Sequence, residues 1–237
     1  MPRVFCMITA ILACGGKGER FGSKLPKQFL PLLGLPVYLY SLFLFERNPK
    51  VECVVVVCPK DFRKMVEEDV KKHKLDKVIS IVYGGKTRQE SVYNGVKASP
   101  EDTQYFLVHD AVRPCLSMSL LERVVNAMFG KNAVIPVIPC RDALAKVENG
   151  RMLSPIDRTS LCLVQTPQGI KAECLRISLE KAERENRVFP DEGSLLLFYG
   201  YEVYTVEGEL TNLKITYQED FKLAEIILKG KIGAENF

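Results

Sequence analysis

The feature that most constrains the fold is the alternation of short apolar runs with amphipathic segments along the chain. Val54-Val55-Val56-Val57 is the purest of these runs, and such continuous apolar stretches are typical of strands buried on both faces of a sheet. The predicted strands are Val4–Ala13, Cys53–Cys58, Val78–Val82, Tyr105–His109, Ala133–Pro139, Cys162–Gln165 and Val203–Val206.

Amphipathic segments fill the intervals between these runs and predict helices. Pro36 suits the first turn of one helix, and Ser117 suits the N-cap of another. The predicted helices are near Pro36–Phe45, Asp61–His73, Gln89–Ala98, Ser117–Phe129, Lys171–Glu185 and Gln218–Leu228. Strands and helices that alternate in this order predict a doubly wound α/β fold whose ligand binds at the carboxyl ends of the strands.

The composition is that of an ordinary globular protein and excludes several classes. Hydrophobic residues make up 47% of the chain, and no apolar run approaches the roughly 20 residues of a membrane span. The net charge of +4 suits an anionic substrate but is too small and too dispersed for a nucleic-acid partner. The eight cysteines include no Cys-x-x-Cys spacing, so we expect free thiols and a cytoplasmic protein.

A glycine-rich, cationic segment, 14–22, follows the first predicted strand. Four of its residues are glycines, which let the backbone turn tightly and approach a ligand closely. Lys17, Arg20 and Lys27 lie in this segment or shortly after it. Backbone N–H groups and cations at the end of a strand predict a polyphosphate-binding loop.

Two familiar phosphate-binding motifs do not fit this segment. The nearest P-loop register has Lys17 in place of a glycine and Ser23 in place of the lysine. A dinucleotide-binding fingerprint needs a third glycine where this chain has Phe21, which argues against a dehydrogenase. What remains is Gly-x-Gly-x-Arg followed by Pro26-Lys27-Gln28, which resembles the signature loop of nucleotidyltransferases that activate sugars and polyols.

A second glycine pair opens the segment Gly84–Val92 at the end of another predicted strand. The two glycines, Gly84 and Gly85, followed by Arg88, Gln89 and Ser91 at a predicted helix start, offer backbone and side-chain hydrogen bonds to a base or a ribose. The same segment also fits a turn closed by a capping box, and the sequence leaves both interpretations open.

The segment His109–Pro114 follows the next predicted strand and carries a carboxylate and an arginine. Asp110 offers the oxygen ligands that Mg²⁺ prefers, and Arg113 suits a phosphate or a hydroxyl-bearing substrate. A capping role for Asp110 is the open alternative. We expect His109 to be structural, because a phosphate nucleophile is already an anion and needs no general base.

Residues 141–158 interrupt the α/β pattern. Asn149-Gly150 is a strong hairpin signal, and the flanking residues are too polar to form a core of their own. We therefore predict a β-arm that packs on a second subunit. We expect residues 1–230 to form one domain and residues 231–237 to form a flexible tail.

Five motifs occur in one order along the chain: Gly-x-Gly-x-Arg with Pro-Lys-Gln, Gly-Gly-x-x-Arg-Gln-x-Ser-Val, His-Asp-Ala-x-Arg-Pro, Thr-Pro-Gln and Asn-x-Lys-Ile-Thr. Together they resemble the 2-C-methyl-D-erythritol 4-phosphate cytidylyltransferase family of the non-mevalonate isoprenoid pathway. The resemblance implies a Rossmann-like, mostly parallel sheet of the nucleotide-diphospho-sugar transferase type with a protruding arm. It also implies a homodimer that uses CTP and Mg²⁺ to convert methylerythritol phosphate into 4-diphosphocytidyl-2-C-methyl-D-erythritol and pyrophosphate.

The pattern of that family implies a role for each candidate residue. The catalytic residues would be Arg20, Lys27, Arg158 and Lys214. The nucleotide would be bound by Cys14, Gly15, Gly16, Lys17, Gly18, Gly85, Ser91, Asp110 and Ala111, and Asp110 would also hold the metal. The polyol phosphate would be bound by Arg113, Asp142, Arg158, Thr166 and Asp191.

Three departures from the residues common in the family leave alternatives open. Cys14 replaces an alanine, Pro190 replaces a threonine before the acidic pair, and Ala143 replaces a threonine in the arm. Ribitol 5-phosphate cytidylyltransferases share the fold and much of the loop, so ribitol phosphate is the main alternative substrate. A non-catalytic CTP-binding regulator is the alternative from another class, and the presence of both Lys27 and Lys214 argues against it.

Overall fold

The computed structural model describes residues 7–15 and 25–234 of the chain. Its strands are β1 (Ile8–Ala13), β2 (Pro31–Leu32), β3 (Leu35–Pro36), β4 (Cys53–Cys58), β5 (Val78–Tyr83), β6 (Tyr105–Asp110), β7 (Ala133–Pro139), β8 (Leu144–Glu148), β9 (Arg151–Ile156), β10 (Cys162–Val164), β11 (Gln168–Lys171) and β12 (Val203–Glu207). Its helices are α1 (Val37–Arg47), α2 (Arg63–Lys72), α3 (Arg88–Lys97), α4 (Met118–Met128), α5 (Ala172–Arg184), α6 (Glu192–Phe198) and α7 (Gln218–Ala234).

The described residues build one mixed, mostly parallel sheet with the strand order β10-β7-β11-β6-β1-β4-β5, and β12 pairs with β7. The pairs β6–β1, β1–β4, β4–β5 and β7–β12 are parallel, whereas β10 and β11 run antiparallel to their neighbours. The two mid-sheet strands β1 and β6 therefore end at the same edge. The predicted α/β class is confirmed.

Successive residues of β1 enter different hydrophobic cores, which explains why its sequence is continuously apolar. Ala10 and Leu12 pack in a core that also receives Leu42 of α1 and Val66 of α2. Ile11, between them, packs on the other face of the sheet in a core that includes residues of α3, α5 and α6. Both faces of the sheet are thus covered by helices, as a doubly wound fold requires.

Every strand and helix predicted from the sequence is present in the described part of the chain, with boundaries shifted by a few residues. Val4–Cys6 of the first predicted strand lie outside the described residues. The β2–β3 hairpin, β11 and α6 were not predicted. The β11 sequence, Gln-Gly-Ile-Lys, carries too few apolar residues for a strand signal, and its Gly169 packs directly against Met128 and Val124.

The predicted arm forms a separate two-stranded sheet from β8 and β9. Asn149 and Gly150 have φ values of 48° and 76°, which is the left-handed backbone of a tight hairpin turn. Val147, Met152 and Leu153 are at least half exposed. The arm therefore presents apolar side chains that the described part of the chain covers only in part.

Helix α7 continues to Ala234, so the helix extends into the first four residues of the segment, 231–237, that the sequence predicts to be a flexible tail. Leu228 is buried in a small core with Val37 and Ile215, and the Lys231 Nζ donates a 2.8 Å hydrogen bond to the carbonyl of Cys115. These contacts hold the last turns of the helix against the domain. Residues 235–237 lie outside the described residues.

Within the described ranges, no helix is both long enough and apolar enough to cross a membrane. The cysteines in those ranges are free thiols, as predicted, namely Cys14, Cys53, Cys58, Cys115, Cys140, Cys162 and Cys174.

Candidate active site

The sheet brings three of the predicted motifs to one edge. In the parallel register, Ala13 at the end of β1 pairs with Val57 of β4 and with Asp110 at the end of β6. Cys58 at the end of β4 pairs with Tyr83 at the end of β5. The segments that begin at Cys14, Gly84 and Asp110 therefore leave the sheet side by side, at the carboxyl ends where an α/β fold binds its ligand.

A buried glutamine fixes the beginning of the glycine-rich segment. The Gln28 Nε2 donates a 2.7 Å hydrogen bond to the carbonyl of Cys14, and the Cys14 N–H donates to the carbonyl of Val57. Because Gln28 follows Lys27 in a short 3₁₀ turn, this bond also ties the lysine-bearing turn to the end of β1. Burial raises the pKa of the Cys14 thiol well above its usual range, so this thiol stays neutral.

The predicted residues Gly16, Lys17, Gly18 and Arg20 lie outside the described residues.

Ser91 joins the two glycine segments. Its Oγ accepts a 3.0 Å hydrogen bond from the Gly85 N–H and donates a 2.9 Å bond to the carbonyl of Thr87. A Cβ atom would lie 3.3 Å from this Oγ at Gly15 and 3.1 Å from it at Gly84. Glycine at these positions leaves the Ser91 hydroxyl and its backbone neighbours close together.

The capping interpretation of the same segment is confirmed. Thr87 is the N-cap of α3, and its side chain accepts from the Glu90 N–H at 3.0 Å. The Glu90 carboxylate in turn accepts a 2.7 Å bond from the Lys86 N–H. A Cβ at Gly85 would fall 2.3 Å from the Glu90 side chain, so this turn requires the glycine. One set of residues thus starts a helix and shapes the edge of the site.

Asp110 lies at the centre of a charged cluster. Its Oδ1 accepts a 2.9 Å bond from the Arg88 Nε, and its Oδ2 accepts a 2.7 Å bond from the Lys214 Nζ. Burial alone would raise the pKa of this carboxyl group, but Arg88, Lys214 and Arg113 outweigh burial and hold the pKa well below its usual range. Asp110 is therefore ionised, and the sheet brings Lys214 to it across 104 residues of sequence.

Arg88 connects Asp110 to a second buried carboxylate. Its Nη1 and Nη2 atoms donate to the two carboxylate oxygens of Glu192 at 2.7 Å and 3.0 Å. Burial would lower the pKa of Arg88, but Glu192 and Asp110 outweigh burial and raise it. From the sequence, Arg88 was expected only to offer hydrogen bonds to a base or a ribose, and Glu192 had no expected role. Arg88 stood in a recognised motif and Glu192 followed Asp191, and these were the available signals.

His109 and Thr166 form a buried pair behind Asp110. The Thr166 Oγ1 accepts a 3.1 Å bond from the Asp110 N–H and lies 2.9 Å from the His109 Nδ1. Burial lowers the pKa of His109 to about 3. The imidazole is therefore neutral near pH 7, which agrees with its expected structural role, and the Thr166 hydroxyl faces the interior.

A second buried network holds the segment that carries Lys214. Asn212 is fully buried, and its Nδ2 donates 2.8 Å to the carbonyl of Thr166. The Gln165 side chain accepts from the Glu209 N–H and donates to the Glu209 carbonyl. The Arg113 Nη1 donates 2.7 Å to the carbonyl of Asn212, and the burial of Arg113 lowers its pKa. Arg113 therefore supports the backbone beside Lys214.

Other predicted residues have simpler environments. Ala111 is buried, and its N–H donates to the carbonyl of Ala13. Asp191 is the N-cap of α6 and accepts from the Ser194 N–H at 2.9 Å. Asp142 and Arg158 are exposed near the arm, where Arg158 donates to the carbonyl of Arg141. In the described ranges, neither arm residue makes a hydrogen bond or ion pair with Asp110.

The described donor set does not fit a magnesium ion held by Asp110. Across the ranges that the structure covers, no group of three His, Cys, Asp or Glu side chains comes together. Asp110 is a single carboxylate, and each of its oxygens already accepts from a cation. A metal at this carboxylate would have to displace Arg88 or Lys214.

The fold and this edge define the chain as an α/β nucleotidyltransferase. The sheet is mostly parallel, a glycine-rich segment leaves β1, and Ser91 and the Lys214–Asp110 pair lie at the neighbouring strand ends. A family likeness supports this class. The sequence model of the family described as 2-C-methyl-D-erythritol 4-phosphate cytidylyltransferase (IspD) matches residues 8–230. The chain belongs to this family.

Named relatives resemble the chain over nearly all of its length. The 2-C-methyl-D-erythritol 4-phosphate cytidylyltransferase of Clostridium botulinum (strain 657 / Type Ba4) is 36% identical and is matched over 93% of this chain and 97% of its own length. The enzyme of the same name from Syntrophus aciditrophicus is 33% identical over 95% and 97% of the two chains. The crystal structure of the Thermus thermophilus enzyme has a TM-score of 0.79 and 31% identity over 93% of this chain and 98% of that one.

Proposed function

We propose that the edge around Ser91, Asp110 and Lys214 is where this cytidylyltransferase transfers CMP from CTP to 2-C-methyl-D-erythritol 4-phosphate. The products are 4-diphosphocytidyl-2-C-methyl-D-erythritol and pyrophosphate. Membership of the family supports the reaction, and the named relatives favour methylerythritol phosphate over ribitol phosphate and over a non-catalytic regulator. The observation that carries the location is the convergence of Gly15, Gly85 and Lys214 at one edge of the sheet.

The reaction suits a site made of fixed cations and backbone donors. The phosphate of the polyol attacks the α-phosphorus of CTP, the bond to the bridging oxygen breaks, and pyrophosphate leaves. The nucleophile is already an anion, and the structural environment of His109 agrees with a mechanism that has no general base. Catalysis then rests on positioning and on positive charge near the α-phosphoryl oxygens.

We assign the residues by combining the family pattern with this geometry. Arg20 and Lys27 stabilise the transition state, and the glycine N–H groups of the loop bind the triphosphate. Gly85 and Ser91 read the cytosine base. Lys214 binds the phosphate of the polyol, and Arg158 assists it.

We also propose a homodimer that is joined through the β-arm. The two-stranded arm exposes Val147, Met152, Leu153 and Ile156, and a hairpin of this kind is marginal without a covering partner. Because Arg158 lies beside the arm and away from the Asp110 cluster of its own chain, we place it in the active site of the partner subunit.

Two further features belong to the proposal. The reaction requires Mg²⁺, and the ion is brought by the triphosphate, because magnesium commonly keeps substrate phosphates among its ligands and Asp110 is already paired with two cations. The enzyme is cytoplasmic, which agrees with the free thiols in the described ranges.

One assay tests the reaction against its alternatives. Pyrophosphate release is measured with CTP, UTP, ATP and GTP, each combined with methylerythritol phosphate or ribitol phosphate. We expect turnover with CTP and methylerythritol phosphate, because a site built around the cytosine amino group leaves buried groups unpaired with uracil. A higher kcat/KM for ribitol phosphate, or CTP binding without pyrophosphate release, would overturn the proposal.

A further inference from the structure

We propose that Glu192 is a positioning residue for Lys214. Its carboxylate binds the two terminal nitrogens of Arg88, and this contact keeps Lys214 in place. The inference rests on the proposed function of Lys214 and adds a residue for which the sequence motifs gave no role. Glu192 does not contact Lys214, and it acts through Arg88 and Asp110.

The guanidinium of Arg88 donates hydrogen bonds to two different carboxylates. A guanidinium can bind one carboxylate through two parallel hydrogen bonds, and this is its strongest mode of binding. Arg88 uses Nη1 and Nη2 in this way on Glu192. Of the three N–H groups that remain, the Nε–H is the one that bonds Asp110, and it binds Oδ1 at 2.9 Å.

The second oxygen of Asp110, Oδ2, binds Lys214. Because Arg88 takes only Oδ1, the Oδ2 of Asp110 is available to the Lys214 Nζ at 2.7 Å. Without the carboxylate charge of Glu192, Arg88 would gain by turning its fork onto both oxygens of Asp110. Lys214 would then have to share Oδ2 with the guanidinium and would move from its present position.

The two carboxylates of the cluster are buried, whereas the lysine is partly exposed. The side chains of Glu192 and Asp110 are 3% and 9% exposed, whereas that of Lys214 is 43% exposed. The two carboxylates are thus the buried half of the cluster, and Lys214 is the group that an anionic substrate reaches. A buried charge that loses its partner is strongly unfavourable, so Arg88 cannot stay as it is when Glu192 becomes neutral.

The backbone beside Glu192 is held on the sheet. The next residue, Gly193, donates a 2.9 Å hydrogen bond to the buried Gln168 Oε1. A Cβ at Gly193 would lie 3.3 Å from the Ile135 side chain, so this turn of α6 packs tightly on β7. These contacts fix the backbone next to Glu192 and so hold its carboxylate in position.

The test is the variant Glu192→Gln, which keeps the shape of the side chain and removes its charge. We expect kcat/KM for methylerythritol phosphate to fall by about 10- to 100-fold, since small displacements of a positioning group have effects of this size. The KM for CTP should stay within about 3-fold of the wild type. The control is Glu185→Gln, which breaks an exposed pair with Arg187 and should leave activity unchanged.

Two measurements separate positioning from a general structural effect. In a Lys214→Ala background, Glu192→Gln should cost less than about 3-fold, because its route of action has been removed. A crystal structure of Glu192→Gln should show Arg88 bound to both oxygens of Asp110 and Lys214 displaced from Oδ2. An undiminished effect of Glu192→Gln in the Lys214→Ala background, or an unchanged Lys214–Asp110 pair, would overturn the inference.

The inference can still be tested if Glu192→Gln does not fold or if the wild-type protein is inactive. If Glu192→Gln does not fold, Glu192→Asp keeps the charge but shortens the reach to the two terminal nitrogens of Arg88, and it should produce a smaller loss that is again selective for the polyol phosphate. Wild-type kinetics toward methylerythritol phosphate in Glu192→Asp would then overturn the inference. If the wild-type protein does not turn over CTP, the proposed function fails, whereas the crystallographic comparison still decides what holds Lys214.

Discussion

His109 should make the stability of this protein depend on pH above the range in which most carboxylates titrate. Its ring is fully buried at the end of β6, where Thr166 and Phe45 surround it. Burial lowers its pKa from 6.5 to about 3 in the folded protein. Between these two values the unfolded chain binds a proton that the folded chain does not bind. The contribution of His109 to stability is therefore complete above about pH 6.5 and is lost as the pH falls toward 3.

The size of the effect follows from linkage. Between about pH 7 and pH 5, protonation of an unfolded histidine with the ordinary pKa lowers the free energy of unfolding by about 2 kcal/mol. The slope approaches about 1.4 kcal/mol per pH unit in the lower part of this interval. Asp110 acts in the same direction but at lower pH, because its folded pKa is also depressed and its unfolded pKa is near 4.

The measurement is urea denaturation of the wild type and of His109→Asn at several pH values from about 7 to 5. The asparagine amide can still meet Thr166 but does not titrate, so the variant should lose less stability over this interval, by about 2 kcal/mol. The control is Thr166→Val, which removes the same contact and should keep the wild-type pH dependence, because burial is the main cause of the shift. Equal pH dependence in the wild type and His109→Asn would refute the reasoning.

Three further predictions concern the site, the dimer and the core. Lys27→Ala should lower kcat by about 10²- to 10³-fold without changing the circular dichroism spectrum, and a kcat within a few-fold of wild type would exclude a transition-state role. Mixed dimers of Lys27→Ala and Arg158→Ala chains should recover up to about half of wild-type activity, and verified heterodimers that stay inactive would show that Arg158 serves its own subunit or serves only structure. Gly95→Ala should lower the urea-derived free energy of unfolding by about 1–2 kcal/mol, because its Cβ would lie 2.7 Å from the Ile11 side chain; an unchanged or increased value would show that α3 can shift away.

The strands and the edge that holds the site could be predicted because both depend on local patterns. A continuous apolar run such as Val54–Val57 can be read without knowing its neighbours, and parallel strands all end at one edge. The prediction that Asp110 and the glycine segments meet therefore needed only the order of the elements. Their mutual position is confirmed by the pairing of Ala13 with Asp110.

The charged contacts inside the site could not be predicted in the same way. Arg88 and Glu192 are separated by 104 residues and meet only after α6 packs on the sheet. No periodicity marks α6, whose strongest local signal was the capping residue Asp191. The role expected for Asp191 came from a family pattern, whereas the fold uses its carboxylate to begin a helix and places Glu192 against Arg88. The length of α7 was misjudged for a similar reason, since the contact of Lys231 with Cys115 is not a local feature.

The buried carboxylates explain how cations can be held close together at this edge. Arg88, Arg113 and Lys214 all act electrostatically on Asp110, and the charge of Arg88 also disfavours the charged form of Arg113. Asp110 and Glu192 offset this repulsion from inside the protein, so Lys214 keeps a defined place while more than two-fifths of its side chain stays exposed. In the proposed role of Lys214, the phosphate would therefore meet a cation that is already oriented, and little reorganisation would be left for the chemical step.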